Sequence, residues 1–293
     1  MVDTYFKSRL LYKKKKRRNF RPVILISLAV LIGVAVIAYG IFSLANMPYW
    51  QIKNISVTGF EIIEQDELYA AIQEPLDGYI WKFIPKSQYF FLPEEEISEH
   101  VKNKFAKIGQ VSVEKKFPDI LTVVVEERKV FAIYCPAVNK GSTTIALAEE
   151  AAIETKSGSK CFYIDRGGVI FELSISFAGT VFPIIENDED MDFVVGKPAI
   201  SREVLNFFEE ANSALKEKTG FTLSSLTISK DISKDYILGT NFGWFLIVPR
   251  DVLPSDWSAN LKTIIDSKIK TRIGDLDYVD LRFGSKIFYK FKR

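Results

Sequence analysis

Hydrophobic residues are arranged along the chain in three different patterns, and each pattern predicts a different kind of element. The run from Val23 to Ala45 is apolar, without a charge or a proline. A helix rises about 1.5 Å per residue, so this run exceeds the roughly 30 Å of bilayer hydrocarbon and predicts a transmembrane helix. Apolar and polar residues alternate between Asn54 and Thr58, which predicts a strand. Ile97, Val101 and Phe105 recur every four residues, which predicts the buried face of a helix.

The residues from about 50 to 128 follow a β-α-α-β-β order. A short helix buries Leu68 after the first strand, and Pro93 opens the second helix as a first-turn residue. Two strands follow at residues 111–114 and 121–125, where apolar residues recur at every second position. This order predicts a small α+β domain directly after the transmembrane helix.

The residues from about 129 to 293 are rich in predicted strands and contain two predicted helices. A turn at Asp165–Gly168 joins two short apolar runs, which predicts a hairpin. Ser201 and Ser255 each precede a segment with helical apolar spacing and are predicted to cap the two helices. The chain is therefore predicted to be an α+β protein, with a mixed β domain as its second folded part.

Charge is distributed unevenly, and this predicts an orientation in the membrane. Residues 1–22 hold nine basic residues and one acidic residue, about +8 in total, whereas the whole chain carries +2. Basic segments stay on the cytoplasmic side, and Tyr49 and Trp50 suit the opposite interface, so the N-terminus is predicted inside. The exported part then carries about −6, which argues against binding of polyanions outside the cell.

Two alternatives to this anchor stay open. The apolar run could belong to a cleaved signal peptide, since Ser43–Ala45 resembles a small-x-small cleavage site. Such peptides have a shorter apolar core, about 7–15 residues long. The basic run at Lys13–Arg18 could bind nucleic acid, but beside an apolar span an orientation signal explains it better.

The two cysteines, Cys135 and Cys161, bracket a polar stretch that predicts a flexible insertion at about residues 136–160. Outside the cytoplasm a disulfide between them could persist and would fix the base of the insertion. The alternative is a pair of reduced, half-buried thiols, because the sequence does not give the Cα spacing that a disulfide needs.

Residues for enzyme chemistry are scarce. With His100 as the single histidine and two cysteines, the chain offers neither a zinc set nor a Ser-His-Asp triad in a convergent motif. His100 is interpreted as a solvated helix residue, Asp165 as a turn residue and Asp280 as an outward strand residue. We therefore expect a protein that is not an enzyme, and that binds no cofactor, metal or small-molecule substrate.

Four segments, in order, resemble the bacterial cell-division family FtsQ/DivIB. They are residues 55–59 (ISVTG), 113–128 (VEKKFPDILTVVVEER), 164–171 (IDRGGVIF) and 278–283 (YVDLRF). The resemblance implies a cytoplasmic tail at 1–22, a transmembrane helix at 23–45, a POTRA-like domain at 50–128 and a β domain at 129–293. Two departures concern the junction and the long insertion. Lys129 follows Arg128 where the family often has a residue followed by proline, and the loop between the cysteines is longer than expected.

The resemblance also implies a function and a binding site. The family acts as a membrane scaffold at the division septum, where it binds small partners of the FtsB (DivIC) and FtsL type and helps control septal peptidoglycan synthesis. The residues implied to bind the partner lie in the last strand: Phe283, Ser285, Lys286, Ile287, Phe288 and Tyr289.

Two alternatives remain for this strand and for the function. The strand could be a protected sheet edge in which Ile287, Tyr289 and Phe291 pack inward and lysines discourage aggregation. The whole chain could instead be a POTRA-containing envelope protein with a client in secretion or cell-wall assembly.

Overall fold

The computed structural model describes residues 21–80, 82–136, 161–174, 181–188, 193–229 and 235–293. The predicted tail at 1–22 and the predicted insertion at 136–160 therefore lie almost entirely outside the described residues.

The apolar run forms one long helix, α1 (Arg21–Ala45). Its stretch from Ile24 to Leu44 has a mean hydropathy of 2.7 and is not buried against the rest of the described chain. By length and composition this helix can cross a membrane, where its apolar surface would face lipid.

The first domain is a three-stranded sheet covered by two helices. Its elements are β1 (Asn54–Thr58), α2 (Gln65–Gln73), β2 (Tyr79–Ile80), β3 (Ile84–Pro85), α3 (Glu94–Lys104), β4 (Ile108–Lys116) and β5 (Ile120–Glu127). The strand order in the sheet is β1-β5-β4, with β1 parallel and β4 antiparallel to β5. The strands β2 and β3 form a separate short hairpin.

The predicted apolar periodicities account for the core of this domain. Ile97 and Val101 on α3 are fully buried against Leu121, Val123 and Val125 of β5. Burial of a side chain of this size stabilises the fold by about 1.5–3 kcal/mol.

Two details of α3 differ from the prediction. Phe105 follows the helix as its C-cap residue and is half-buried against the same core. Pro93 stands directly before Glu94 as the N-cap residue, in a backbone conformation outside the helical range, and so does not form part of the first turn.

The second domain is one large mixed sheet with two helices on one face. Its elements are β6 (Ala132–Pro136), β7 (Phe162–Ile164), β8 (Ile170–Leu173), β9 (Ile184–Asn187), α4 (Arg202–Thr219), β10 (Leu223–Ile228), β11 (Asp235–Thr240), β12 (Phe245–Pro249), α5 (Pro254–Ile264), β13 (Leu276–Phe283) and β14 (Lys286–Phe291). Among the described residues the nine strands follow the order β14-β13-β12-β11-β10-β9-β6-β7-β8. The α+β class predicted from the sequence is confirmed.

The register of this sheet separates a buried face from an open face. One row of paired residues crosses six strands and is fully buried under α4 and α5: Val279, Leu246, Leu238, Leu226, Ile185 and Tyr134. The neighbouring row on the other face, including Ile247, Ile237 and Thr227, is only half-buried. Alternate residues of a strand point to opposite faces, so the domain has two layers, one of helices and one of strands.

The start of α5 corrects one predicted cap. Leu253 is the N-cap residue and Pro254 occupies the first helical position, where a proline loses no helix hydrogen bond. Ser255 lies within the first turn, and its hydroxyl donates to Asp256 Oδ1 at 3.1 Å.

Cys135 and Cys161 form a disulfide in the structure, with their Cα atoms 4.3 Å apart. Cys135 belongs to β6 and Cys161 directly precedes β7. Because β6 and β7 are antiparallel neighbours in which Tyr134 pairs with Phe162, the two cysteines face each other as the next pair of residues. The bond closes the polar stretch between them at its base.

Candidate functional site

The last hairpin of the chain forms one edge of the large sheet. β14 pairs with β13 and has no strand on its other side among the described residues. A two-residue turn joins them, with Gly284 at φ +62° in the first position, as a type II′ hairpin requires. The outer backbone groups of an edge strand face away from the sheet, where another strand can pair with them.

Two exposed aromatic rings mark this edge. Phe283 and Phe288 are 55% and 54% exposed, and their ring centroids lie 5.4 Å apart in an edge-to-face arrangement. Phe288 pairs across the hairpin with Asp280, so it lies on the open face of the sheet. Exposed aromatic pairs of this kind are typical of binding surfaces.

The other apolar residues of β14 turn toward the helices. Ile287 and Phe291 are half-buried against the core of the domain. Tyr289 pairs with Val279 of the buried row, yet it keeps 37% exposure at the rim and contacts the Phe291 ring at 5.6 Å. The edge therefore combines an inward apolar row with an outward aromatic pair.

The predicted partner-binding residues thus lie on one hairpin. Phe283, Ser285, Lys286 and Phe288 are exposed, and Ile287 and Tyr289 lie along its core side. The inward packing of Ile287 and Phe291 agrees with a protected edge, whereas the exposed rings agree with a binding edge. The role of these residues as a partner site stays a prediction.

An ion network lies behind the aromatic pair. Asp280 lies on the outward face of the sheet, as predicted, but it is buried there because Arg282 covers it. Arg282 donates to both carboxylate oxygens of Asp280, at 2.7 and 2.9 Å, and to Asp235 Oδ2 at 3.2 Å. These hydrogen bonds, first those with Asp280, raise the pKa of the Arg282 guanidinium. The network fixes the backbone where the hairpin begins.

Lysines give the outer edge a positive character. Lys290 donates to Asp277 Oδ2 at 2.7 Å, and this hydrogen bond raises the pKa of Lys290. Lys286 and Lys292 are exposed at the two ends of β14. Edge lysines oppose pairing with a second copy of the same strand, while an acidic strand would meet complementary charge.

The junction of the two domains is a second organised region, which the sequence pattern did not predict. The Arg128 guanidinium forms an ion pair with Asp165 and also donates to Ala106 O at 3.1 Å. Asp165 serves its own turn as well, because its Oδ1 accepts the N–H groups of Gly167 and Val169 at 2.8 and 3.0 Å. Arg128 and Asp165 belong to two different segments that resemble the FtsQ/DivIB family. This is the one feature of the sequence that hints at a contact between them.

Glu127, next to Arg128, binds the backbone of the loop that follows β1 in the first domain. Its carboxylate accepts N–H groups from Glu61, Ile62 and Ile63 at 3.0–3.1 Å. Burial favours the neutral acid, but the three backbone donors outweigh it, so the pKa of Glu127 lies below its ordinary value.

A cleft of ≈ 650 Å³ opens at this junction and is lined by residues of both domains, including Arg128 and Asp165. Among the described residues, His, Cys, Asp and Glu form no group of three that could hold a metal ion. His100 lies on α3, where its ring contacts Glu74 at 3.0 Å on the surface.

Comparison with known proteins identifies the first domain and finds a relative that is similar along most of the chain. Residues 50–128 match the family described as the POTRA domain, FtsQ-type. The cell division protein FtsQ of Geotalea daltonii is 24% identical over 290 residues, which span 95% of this chain and 92% of the relative.

These matches show that residues 50–128 form a POTRA domain of the FtsQ type, and that the chain as a whole is similar to a cell division protein of the FtsQ type. The FtsQ-type POTRA domain is therefore the unit built from β1 to β5, and the predicted resemblance is confirmed. The apolar helix α1 fits a single-pass membrane protein, and the similarity supports a role in cell division of the FtsQ type. Arg128 and Asp165 lie where the POTRA domain meets the β domain.

Proposed function

We propose that this chain is a non-enzymatic membrane scaffold of the bacterial division machinery. In this proposal α1 crosses the cell membrane, residues 1–22 stay in the cytoplasm, and the POTRA and β domains lie outside, at the division septum. The basic excess before α1 and the similarity to FtsQ support it. Its task is to bring other division proteins together and thereby to help control septal peptidoglycan synthesis.

The proposed binding site is the outer edge of β14. A partner of the FtsB (DivIC) or FtsL type adds a strand to this edge by backbone pairing, and its apolar side chains cover Phe283 and Phe288. The observation that carries the proposal is the exposed aromatic pair on the last hairpin, whose strand β14 has β13 as its single neighbour among the described residues. The lysines of the edge favour an acidic partner segment.

Partner recovery from membranes tests this site. The full chain is co-produced with an FtsB-type and an FtsL-type protein, and the complex is isolated from detergent-solubilised membranes. Phe283→Ala and Phe288→Ala, made separately, are expected to weaken binding at least about tenfold, since a buried aromatic anchor contributes about 2 kcal/mol.

Phe242→Ala is the matched control. Phe242 is 45% exposed and lies at the turn between β11 and β12. Its substitution therefore removes an exposed ring from the same domain and leaves β14 unchanged. Circular dichroism melts establish that all three variants fold. If the two edge variants recover partner as well as Phe242→Ala does, the interface is not at β14. Turnover of peptidoglycan by the purified chain would contradict the non-enzymatic part of the proposal.

A further inference from the structure

The direction of the strands shows which end of the POTRA domain lies nearest to α1. The chain reaches the domain from α1 and enters β1 at Asn54, which pairs with Ile120 at the start of β5. Because β1 and β5 are parallel, the turn between β4 and β5 lies at this same end. Lys53 N–H donates to Asp119 O of that turn at 3.0 Å, and Ile52 N–H donates to Ser87 O at 2.9 Å.

A cluster of aromatic rings occupies this end, formed by Tyr49, Trp50, Tyr89, Phe90 and Phe117. The Trp50 ring centroid lies 5.5 Å from that of Phe90 and 5.2 Å from that of Phe117, and Tyr89 contacts Phe117 at 5.9 Å. Phe90 and Phe117 are each 57% exposed. We call these five residues the aromatic end. Its rings pack on one another but leave a large apolar surface open.

The connection between α1 and the aromatic end is short and folded. Asn46 and Met47 N–H groups donate to Phe42 O and Leu44 O, and Trp50 N–H donates to Met47 O, at 3.1–3.2 Å. The six steps from Leu44 to Trp50 are helical or 3₁₀ except around Asn46 and the extended Met47, so they span at most about 15 Å. The headgroup region of one leaflet is about 5–8 Å thick, so the rings begin within or just beyond it.

Charge at the aromatic end suits a lipid surface. Lys53 and Lys116 are exposed beside the rings. Lys115 lies with its Nζ 5.4 Å from the centre of the Tyr89 ring while it pairs with Glu94 at 2.8 Å. Aromatic rings with neighbouring lysines are characteristic of the membrane–water interface, where the rings sit among headgroups and the ammonium groups meet lipid phosphates.

We propose that the aromatic end lies in the headgroup region of the membrane that α1 crosses, so that the POTRA domain docks on lipid. This inference rests on the membrane anchoring proposed above. Docking fixes the long axis of the domain: β5 runs away from the membrane and carries the β domain, with the β14 edge, outward. The occupant is the lipid surface itself, because the rings follow the helix directly and reach the interface without any other chain.

A spin label at Lys116→Cys tests the depth of the aromatic end while all five rings remain. The full chain is reconstituted into vesicles of phosphatidylcholine with phosphatidylglycerol. Both native cysteines are in the disulfide, so the label reacts at the new thiol. Accessibility of the nitroxide to oxygen, which concentrates in lipid, is compared with accessibility to a water-soluble nickel complex.

Val124→Cys is the matched control in the same sheet. Val124 is exposed and pairs with Thr58 at the opposite end of β1, about 13 Å farther along β5 than Ile120. We expect the oxygen-to-nickel ratio at position 116 to exceed that at 124 roughly twofold or more, as interfacial burial requires. Adding Phe90→Ser and Phe117→Ser should bring the two ratios together.

A third label, at Leu31→Cys inside α1, separates this proposal from the one it rests on. If the label at 31 is deep in lipid while 116 is as accessible to nickel as 124, docking is wrong and anchoring stands. If the label at 31 is in water, the anchoring fails and docking fails with it. If position 116 is shielded from both reagents, a second copy of the chain covers the rings, and the lipid proposal is overturned.

Discussion

The ion pair between Arg128 and Asp165 is expected to couple the two exported domains energetically. Their side chains are 17% and 16% exposed, so water screens the pair only partly. A hydrogen bond between charged groups in such a setting contributes about 1.5–3 kcal/mol. A second ion pair, Lys107 with Glu172 at 2.7 Å, also joins the domains, but its side chains are 33% and 41% exposed. An exposed pair contributes about 0–1 kcal/mol.

The two pairs permit a controlled double-mutant cycle. Arg128→Met keeps much of the stem volume, and Asp165→Asn retains an oxygen that can accept the turn's N–H groups from Gly167 and Val169. The free energy of unfolding in urea is measured for the full chain in detergent, for both single variants and for the double variant. We expect a coupling energy of about 2 kcal/mol for this pair and below about 1 kcal/mol for Lys107→Met with Glu172→Gln.

The comparison between the pairs is what can refute the reasoning. If both cycles give the same coupling, burial does not set the strength of these contacts. If the Arg128–Asp165 coupling falls below about 0.5 kcal/mol, the junction is not held by this pair. In that case the position of Asp165 would have to be explained by the hydrogen bonds it accepts from Gly167 and Val169 within its own turn.

Three further changes test the core, the disulfide and the loop clasp. Val123→Asp should unfold the POTRA domain in a circular dichroism melt, because it places a lone charge at a fully buried position, and an unchanged melt would show that position 123 avoids the core. Replacing both Cys135 and Cys161 with serine should lower the free energy of unfolding in urea by about 3 kcal/mol, because the disulfide joins residues 26 positions apart and restricts the unfolded chain. An unchanged free energy of unfolding would show that this restriction does not stabilise the fold. Glu127→Gln should cost about 1 kcal/mol at pH 7. Because folding lowers the pKa of this carboxyl, the destabilisation should shrink as the pH falls below 4.5, the ordinary pKa of a glutamate. A destabilisation that grows in acid would contradict the lowered pKa.

Local periodicity predicted the parts of the fold that local physics decides. The four-residue spacing of Ile97 and Val101 and the two-residue spacing of Leu121, Val123 and Val125 each place one face in the core, and all five side chains are buried. A helix or strand can bury such a face in few ways, so the pattern alone identifies the element and its inner side.

Long-range polar contacts explain where the sequence reasoning failed. Asp280 alternates with core residues and was therefore predicted to point outward, but this spacing gave no sign that Arg282 and Asp235 enclose it there. Arg128 and Asp165 lie 37 positions apart and meet only when two domains dock. Periodicity carries no information about such partners, because a charged side chain satisfies the same pattern in water and in an ion pair.

The last strand shows a different limit, since its sequence holds two signals on opposite faces. Ile287 and Phe291 belong to the row that packs on the core, and this packing holds β14 on the domain together with its pairing to β13. Phe288 belongs to the other row, and about half of its side chain stays exposed in the folded chain. An exposed aromatic ring on a sheet edge increases the risk of aggregation. A surface that served only to protect the edge would place polar groups in both outward positions, as Lys286 and Lys290 do. Phe283 and Phe288 depart from that rule together and in contact, and this departure supports the proposal that a partner covers the edge.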